Sequence, residues 1–155
     1  MSYWDTSGLV KLYAAEPDSA QFESYAAASA AAAPTIAEIT RFELWVALRR
    51  KEKEGFIAAG QAKIYLDRFD QDVRHGELHV VELSRQVSDE FERLTERCLS
   101  QSPPLLVRTM DMIHLASAQI AVVTEFVTTD KRLREAALAA GFAVYPPAPP
   151  KSFTP

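Results

Sequence analysis

The amino-acid sequence predicts an α/β fold, with a parallel sheet covered by helices on both faces in a three-layer α/β/α sandwich. Three observations predict it. Short apolar, aromatic or β-branched runs alternate along the chain with longer segments of helical period. Two of those runs end alike: one stops at Asp5 in YWDTSG, another at Asp130 in FVTTDK, and each passes straight into a helix. With 155 residues and 48% hydrophobic content, the chain is long enough for one complete core and short for two. Residues 1–145 therefore read as a single domain, followed by a proline-dense tail at 146–155.

Taken in order, the first strand is very short and ends on Asp5, where Asp-Thr-Ser marks a helix start, and residues 9–16 continue as helix. Pro17 suits the first position of another helix, which the alanine-rich stretch extends to residue 33. A brief strand at 34–36 leads through Thr35 or Thr40 into a helix reaching about Glu54, with Gly55 as its stop. A helix at about 58–74 then places Ala62, Leu66, Phe69 and Val73 on one face, so the pair forms a helical hairpin. Asp67, Asp70 and Asp72 lie on this segment. They read as its solvated side rather than as a metal cluster. Residues 78–83 have a buried-strand composition, and 85–100 follow as a helix closed off by Pro103 and Pro104. A helix at 108–122, a strand at 122–128, a helix at 131–140 stopped by Gly141, and a last short strand at 142–145 complete the pattern.

The formal charge of −4 argues against a protein held to nucleic acid by bulk positive charge. The single cysteine, Cys98, has no partner for an internal disulfide, and its spacing with Val87, Phe91 and Leu94 places it on an apolar helix face. With no apolar leader ahead of Asp5 and no run of membrane-spanning length, the chain is expected to be cytoplasmic and independent of membranes.

Four carboxylates stand out from this pattern. Asp5 and Asp130 lie where a strand ends and a helix begins, the place where open parallel sheets bind ligands; helix capping is the competing role for both. Glu43 interrupts the apolar stripe of its helix between Ile39 and Val46, so it is either paired, for example with Arg41 or Arg49, or set at a cleft. Asp111 is the one ionised side chain in MDMIHLASAQIAVV, with a helix-dipole role as its alternative. If the first and fourth strands are neighbours where strand order reverses, these four groups line one acidic pocket, the expected home of Mg²⁺ or Mn²⁺. No Cys/His set for zinc, nucleophile elbow or P-loop is present in the sequence.

At these residues the chain resembles the PIN-domain nucleases, and among them the VapC-type toxins of toxin–antitoxin pairs. The stretches that carry the resemblance are YWDTSGLVKLYAAEP, ITRFELWVALRRKEKEG, RTMDMIHLASA and FVTTDKRLREAALAAGFAVY, in the family's order. The resemblance implies a five-stranded parallel sheet of order 3-2-1-4-5. It assigns the acidic positions to Asp5, Glu43, Asp111 and Asp130, with Glu38, five residues earlier and taken as part of the same helix, as a rival to Glu43. It further implies metal-dependent hydrolysis of RNA phosphodiester bonds. In that scheme Asp5, Asp111 and Asp130 hold one or two ions, which activate a water and stabilise the leaving 3′-oxygen, and Glu43 completes the shell or orients the water. Ser7 and Thr128 either hydrogen-bond the carboxylates or serve ordinary turn and cap duties, and Lys131 and Arg132, whose charges oppose the dipole of the helix they open, are placed to meet substrate phosphate. His114 reads as a packed, satisfied histidine rather than a general base. The partners implied are RNA, a small antitoxin and a second copy of the chain. Phe42, Trp45, Val46, Ile64 and Tyr65 of the hairpin form the surface a partner helix would cover, unless they pack the two hairpin helices together.

Two other readings fit parts of the pattern. One is a PIN-like module that binds RNA or protein without cleaving. The other is a Mg²⁺-dependent phosphoacceptor or phosphatase, which expects an acidic pair around the first strand and a sheet-end lysine.

Overall fold

The computed structural model describes residues 1–28 and 33–147. Five strands, β1 (Ser2–Trp4), β2 (Thr35–Ala37), β3 (His79–Val81), β4 (Glu125–Val127) and β5 (Ala143–Tyr145), pair in parallel in the order β3-β2-β1-β4-β5. Strand order reverses at β1, which has β2 on one side and β4 on the other. The predicted sheet order is the observed one.

Each strand is three residues long, so period-two alternation sends neighbouring side chains into different layers. Tyr3, Ala37 and Phe126 join a core with Val87, Leu94, Met112, Leu115 and Leu133, from α5 (Arg85–Leu99), α6 (Thr109–Ile120) and α7 (Lys131–Ala140). Trp4, Ile36 and Val127 join the other core. Their partners there include Leu9, Phe22, Leu44, Leu48, Leu66 and Phe69, from α1 (Thr6–Leu9), α2 (Ser19–Ala28), α3 (Thr40–Lys53) and α4 (Gln61–Arg74). Both faces of the sheet are covered, as the sandwich requires. Cys98 is buried in the first core.

Several boundaries differ from the sequence reading, each for a tertiary reason. The helix expected at 9–16 ends after α1 in a 3₁₀ turn, Val10–Leu12. Lys11 is buried there, and its ammonium pairs with Glu16 and Asp18, which draws the chain back on itself. α2 begins at Ser19 rather than Pro17, and the expected extension through residues 29–32 lies outside the described residues. α4 begins at Gln61 instead of 58. Gly60 takes φ +85°, and Glu52 at the end of α3 accepts a hydrogen bond from the Ala62 amide at 2.9 Å. β3 is the sheet edge and only half-buried, so its apolar composition overstated its burial. The tail is described only as far as Pro147.

Gly8 holds the opening segment against the sheet. A Cβ there would stand 3.1 Å from Val127 Cγ1 and 3.2 Å from the Val127 carbonyl oxygen, so only a hydrogen lets α1 approach β4 this closely. Gly8→Ala is therefore expected to destabilise the chain by about 1–3 kcal/mol, the usual cost of overpacking, and to displace Asp5 with the helix it caps. A denaturant titration measures the first effect, and an unchanged midpoint would contradict it.

Candidate active site

Four elements deliver the carboxylates. Asp5 follows β1 and caps α1; Glu43 lies in the first turn of α3, behind β2; Asp111 lies in the first turn of α6; Asp130 follows β4 and caps α7. Every one sits at a helix N-terminus, where the helix dipole partly offsets the repulsion between like charges. All four line one pocket of about 270 Å³, with Thr6, Ser7, Val10, Ala47 and His114. It opens at the carboxyl edge of the sheet beside the β1/β4 switch. A cavity of about 560 Å³ lies elsewhere, among Tyr13, Arg68, Asp72 and Leu78. The smaller one gathers the acidic groups, and chemistry rather than volume marks the site.

Asp5 is only 4% exposed and heavily hydrogen-bonded. The Gly8 amide donates to Oδ1 at 2.9 Å, the Thr128 hydroxyl donates to Oδ2 at 2.9 Å, and the Ser7 hydroxyl lies 2.8 and 2.9 Å from the two oxygens. Ser7 and Thr128 are held in turn by the amides of Thr129 and Asp130, at 2.9 and 3.0 Å. Burial pushes the Asp5 carboxyl above the usual aspartate range, against the pull of His114 and of these hydrogen bonds. Capping and site placement, posed as alternatives by the sequence, coexist in this residue.

Glu43 finds its partner inside the fold rather than on the surface. Arg41 pairs with Asp70 and Arg49 with Glu52, while Glu43 Oε2 lies 2.7 Å from His114 Nε2 and also accepts from the Thr6 hydroxyl. Burial opposes its ionisation, yet the hydrogen bonds from His114 and Thr6 hold the carboxyl below the ordinary glutamate range. His114 is packed and satisfied as expected, and it also lines the pocket. Glu38 is not on the helix. It lies in the turn before α3, where its carboxylate accepts from the Leu83 amide at 3.0 Å, and it takes no part in the acidic pocket.

Asp130 uses Oδ1 for capping, accepting from the amides of Arg132 and Leu133 at 2.7 and 3.1 Å. Asp111 accepts no hydrogen bond from the described residues. Burial raises its carboxyl above the usual range and the charge of Asp130 adds to this, while His114 and Arg108 pull it down and Glu43 pushes it further up. A raised carboxyl favours folding below the unfolded-state value and loses that contribution as pH rises through the folded value. In the metal-free chain Asp111 should accordingly titrate above the ordinary aspartate range, and Asp130→Asn should lower that midpoint. The Asp111 carboxyl ¹³C shift followed through an acid titration checks this; an unmoved midpoint in the variant would contradict it. Lys131 and Arg132 are exposed at the opening turn of α7.

The donor set is all oxygen, as a hard divalent cation prefers. Among the described residues, no group of three acidic, imidazole or thiol side chains stands close enough to grip one ion as placed. Both oxygens of Asp111, Oε1 of Glu43 and Oδ2 of Asp130 have no hydrogen-bond partner among the described residues, and because Ser7 has one proton for the two Asp5 oxygens, one of those keeps a free lone pair. Burial is the main cause of the raised Asp111 carboxyl, and the repulsion from Asp130 and Glu43 that adds to it is what a bound cation would relieve. The site therefore fits such an ion by its chemistry.

A parallel sheet of this order, with acidic helix ends converging on its switch point, defines a class of α/β protein built around an oxygen-donor pocket. The chain belongs to the PIN domain family, whose profile matches residues 2–138, and within it to the VapC-type proteins. It is 30% identical over 151 residues to Ribonuclease VapC35 of Mycobacterium tuberculosis (strain ATCC 25618 / H37Rv), a match covering 95% of this chain and 97% of that protein. Its fold is similar to VapBC2 from Rickettsia felis, solved bound to a DNA fragment from their promoter, with TM-score 0.65 and 15% identity over 93% of this chain and 97% of that one. FitAcB from Neisseria gonorrhoeae matches at TM-score 0.65 and 15% identity, over 93% and 96% of the two chains. Membership of this family implies a divalent metal as cofactor. No helix among the described residues is long and apolar enough to cross a membrane.

Two features of the site escaped the sequence reading: Thr6 as a donor to Glu43, and the link from Tyr3 through His114 to Glu43. The i, i+3 spacing of Asp111 and His114 on one helix is the signal that brings His114 toward the site, and no local signal points to Tyr3.

Proposed function

We propose that this chain is a divalent-metal-dependent endoribonuclease acting as the toxin of a toxin–antitoxin pair. The observation that carries the reading is the common pocket of Asp5, Glu43, Asp111 and Asp130. Its likeness along nearly its whole length to a protein named a ribonuclease supports the same conclusion.

Asp5, Asp111 and Asp130 would hold Mg²⁺ or Mn²⁺, with Glu43 completing the shell. Such an ion, when bound, supplies charge neutralisation at the scissile phosphate and an acidified water. The chain's own groups supply fixed geometry. Ser7, Thr128 and the Gly8 amide keep Asp5 in a single orientation, which removes a reorganisation step at the moment of reaction. Asp111, free of protein hydrogen bonds among the described residues, can follow changes in charge at the phosphate. Glu43 orients the attacking water through its unengaged oxygen. Lys131 and Arg132, exposed directly behind Asp130, meet the phosphates that flank the cut.

Antitoxin and dimer contacts are assigned to the hairpin. Phe42, Val46 and Ile64 are 63%, 49% and 58% exposed, whereas Trp45 and Tyr65 are half-buried against the core. So exposed, Phe42 and Val46 support a partner surface over packing between the two hairpin helices. They line a groove with Met110 and Arg50 that shares Glu43 and Ala47 with the acidic pocket, so a partner lying along α3 reaches the site directly. An arginine of that partner would compete with metal for the carboxylates.

Incubation of the purified chain with RNA and Mg²⁺, with and without the protein of an adjacent small reading frame, tests this. Water attack predicts 5′-phosphate and 3′-hydroxyl ends, with inhibition by the partner that weakens as Mg²⁺ rises. Cleavage leaving 2′,3′-cyclic phosphate, or none at all, would contradict it.

A further inference from the structure

Behind the pocket runs a chain of hydrogen bonds that the proposed chemistry does not by itself require. Tyr3, with no exposed surface, places its hydroxyl 2.7 Å from Nδ1 of His114, itself only 2% exposed. Nε2 of the same ring lies 2.7 Å from Glu43 Oε2. The Tyr3 ring is locked by stacking on Phe126, with centroids 5.0 Å apart, and meets the His114 ring edge-on at 5.8 Å. A tyrosine of the first strand is thus joined through α6 to the functional carboxylate of α3.

The direction of this chain follows from what each group can donate. An ionised carboxylate only accepts, so Nε2 must carry a proton and donate it to Glu43. In the neutral ring Nδ1 is then the acceptor, and it receives the Tyr3 hydroxyl proton. Thr6 donates to the same Oε2, so both donors act on one oxygen of Glu43 and Oε1 keeps no partner among the described residues. A carboxylate held from one side in this way presents its other oxygen in a fixed attitude. Unsupported, a glutamate on the surface of a helix would spread over several rotamers.

We infer that Tyr3 and His114 are positioning residues: together they form a buried strut in which the Tyr3 hydroxyl fixes the attitude of the His114 ring and the ring's Nε2–H holds Glu43 so that its free oxygen faces the metal and the attacking water. The inference rests on the nuclease reading of the pocket and extends it to two residues that need not touch metal or RNA. It also accounts for a buried histidine beside four carboxylates, where a leucine would fill the same core volume without a polar group to satisfy.

The test uses the full chain at one neutral pH, with Tyr3→Phe, which removes a single oxygen and keeps the stacked ring, and with His114→Ala and His114→Gln. Long-range ¹H–¹⁵N spectra of the metal-free protein should show the neutral Nε2–H pattern for His114 in the parent, and in Tyr3→Phe the same tautomer with its Nδ1 resonance moved to that of a nitrogen that accepts no hydrogen bond. Mn²⁺ affinity, measured by paramagnetic resonance, should fall about tenfold or more in His114→Ala, as is usual when support behind a ligand is lost. His114→Gln, whose amide can still donate to Glu43, should recover part of it. In RNA cleavage, kcat should fall while KM holds. A parent ring that carries a proton on Nδ1, in the neutral or the charged form, overturns the strut. So do a Tyr3→Phe chain that matches the parent in ring spectrum and a His114→Ala chain that matches it in Mn²⁺ affinity. A parent that binds no Mn²⁺ overturns the nuclease reading, and with it the role of the strut, even if the tautomer is as expected.

Discussion

Asp5→Asn is expected to lower RNA cleavage by more than about a hundredfold while leaving the metal-free chain folded and more stable than the parent. Groups that merely support a metal ligand are worth about 10- to 100-fold, and Asp5 is proposed as a ligand itself, so its loss should exceed that range. The stability half follows from burial. With 4% exposure the Asp5 carboxyl is raised above its ordinary value, so its contribution to folding is full below the unfolded-state value and is lost as pH rises through the folded one. At neutral pH the charged form therefore destabilises the empty site. Asparagine keeps an oxygen for the Gly8 amide and carries no charge, which removes that penalty. Melting temperatures in EDTA should favour the variant at neutral pH, and the gap should close on acidification, as the parent carboxyl takes up its proton. A variant that unfolds, or a gap that widens toward acid pH, would count against the account.

Removal of metal should have an effect as large. EDTA should take cleavage to background and Mg²⁺ or Mn²⁺ should restore it. Ca²⁺ is expected to bind without supporting turnover, because its larger and looser coordination does not hold the tight octahedral arrangement Mg²⁺ demands. Binding also stabilises. At a cation concentration about 100 times its dissociation constant, linkage adds about 2.7 kcal/mol. For a chain of this size that corresponds to a rise of about 5–10 °C in Tm. Cleavage that survives exhaustive chelation would remove the metal from the account altogether.

The strand-end carboxylates were legible because a run of strand formers followed by Asp-Thr-Ser or Thr-Thr-Asp encodes a local event, the end of a strand and the start of a helix. Glu43 and Asp111 were legible for a different reason: each is a charge set in an apolar helical pattern, and such a charge needs a reason to be there. Their convergence was not local. It depends on β1 lying between β2 and β4, which the family resemblance implied and the sheet shows. The parts that were missed share this non-local origin. Lys11 ends its helix by pairing with Glu16 and Asp18, and Glu52 sets the start of α4 from the neighbouring helix. Glu38 was separated from Glu43 in the sequence only by its poorer fit to the motif, and in the fold the turn after β2 leaves it accepting from the Leu83 amide. Tyr3 and His114 are 111 residues apart, and nothing in the spacing of either announces the other.

The central claim is that Asp5, Glu43, Asp111 and Asp130 together hold a divalent cation. The measurement that reaches it most directly is anomalous diffraction from crystals of the chain soaked in Mn²⁺. The account predicts a peak in the acidic pocket within about 2.4 Å of carboxylate oxygens from Asp5 and from Asp111 or Asp130. A pocket without a peak at saturating Mn²⁺, or an ion bound only at other carboxylates, would contradict it.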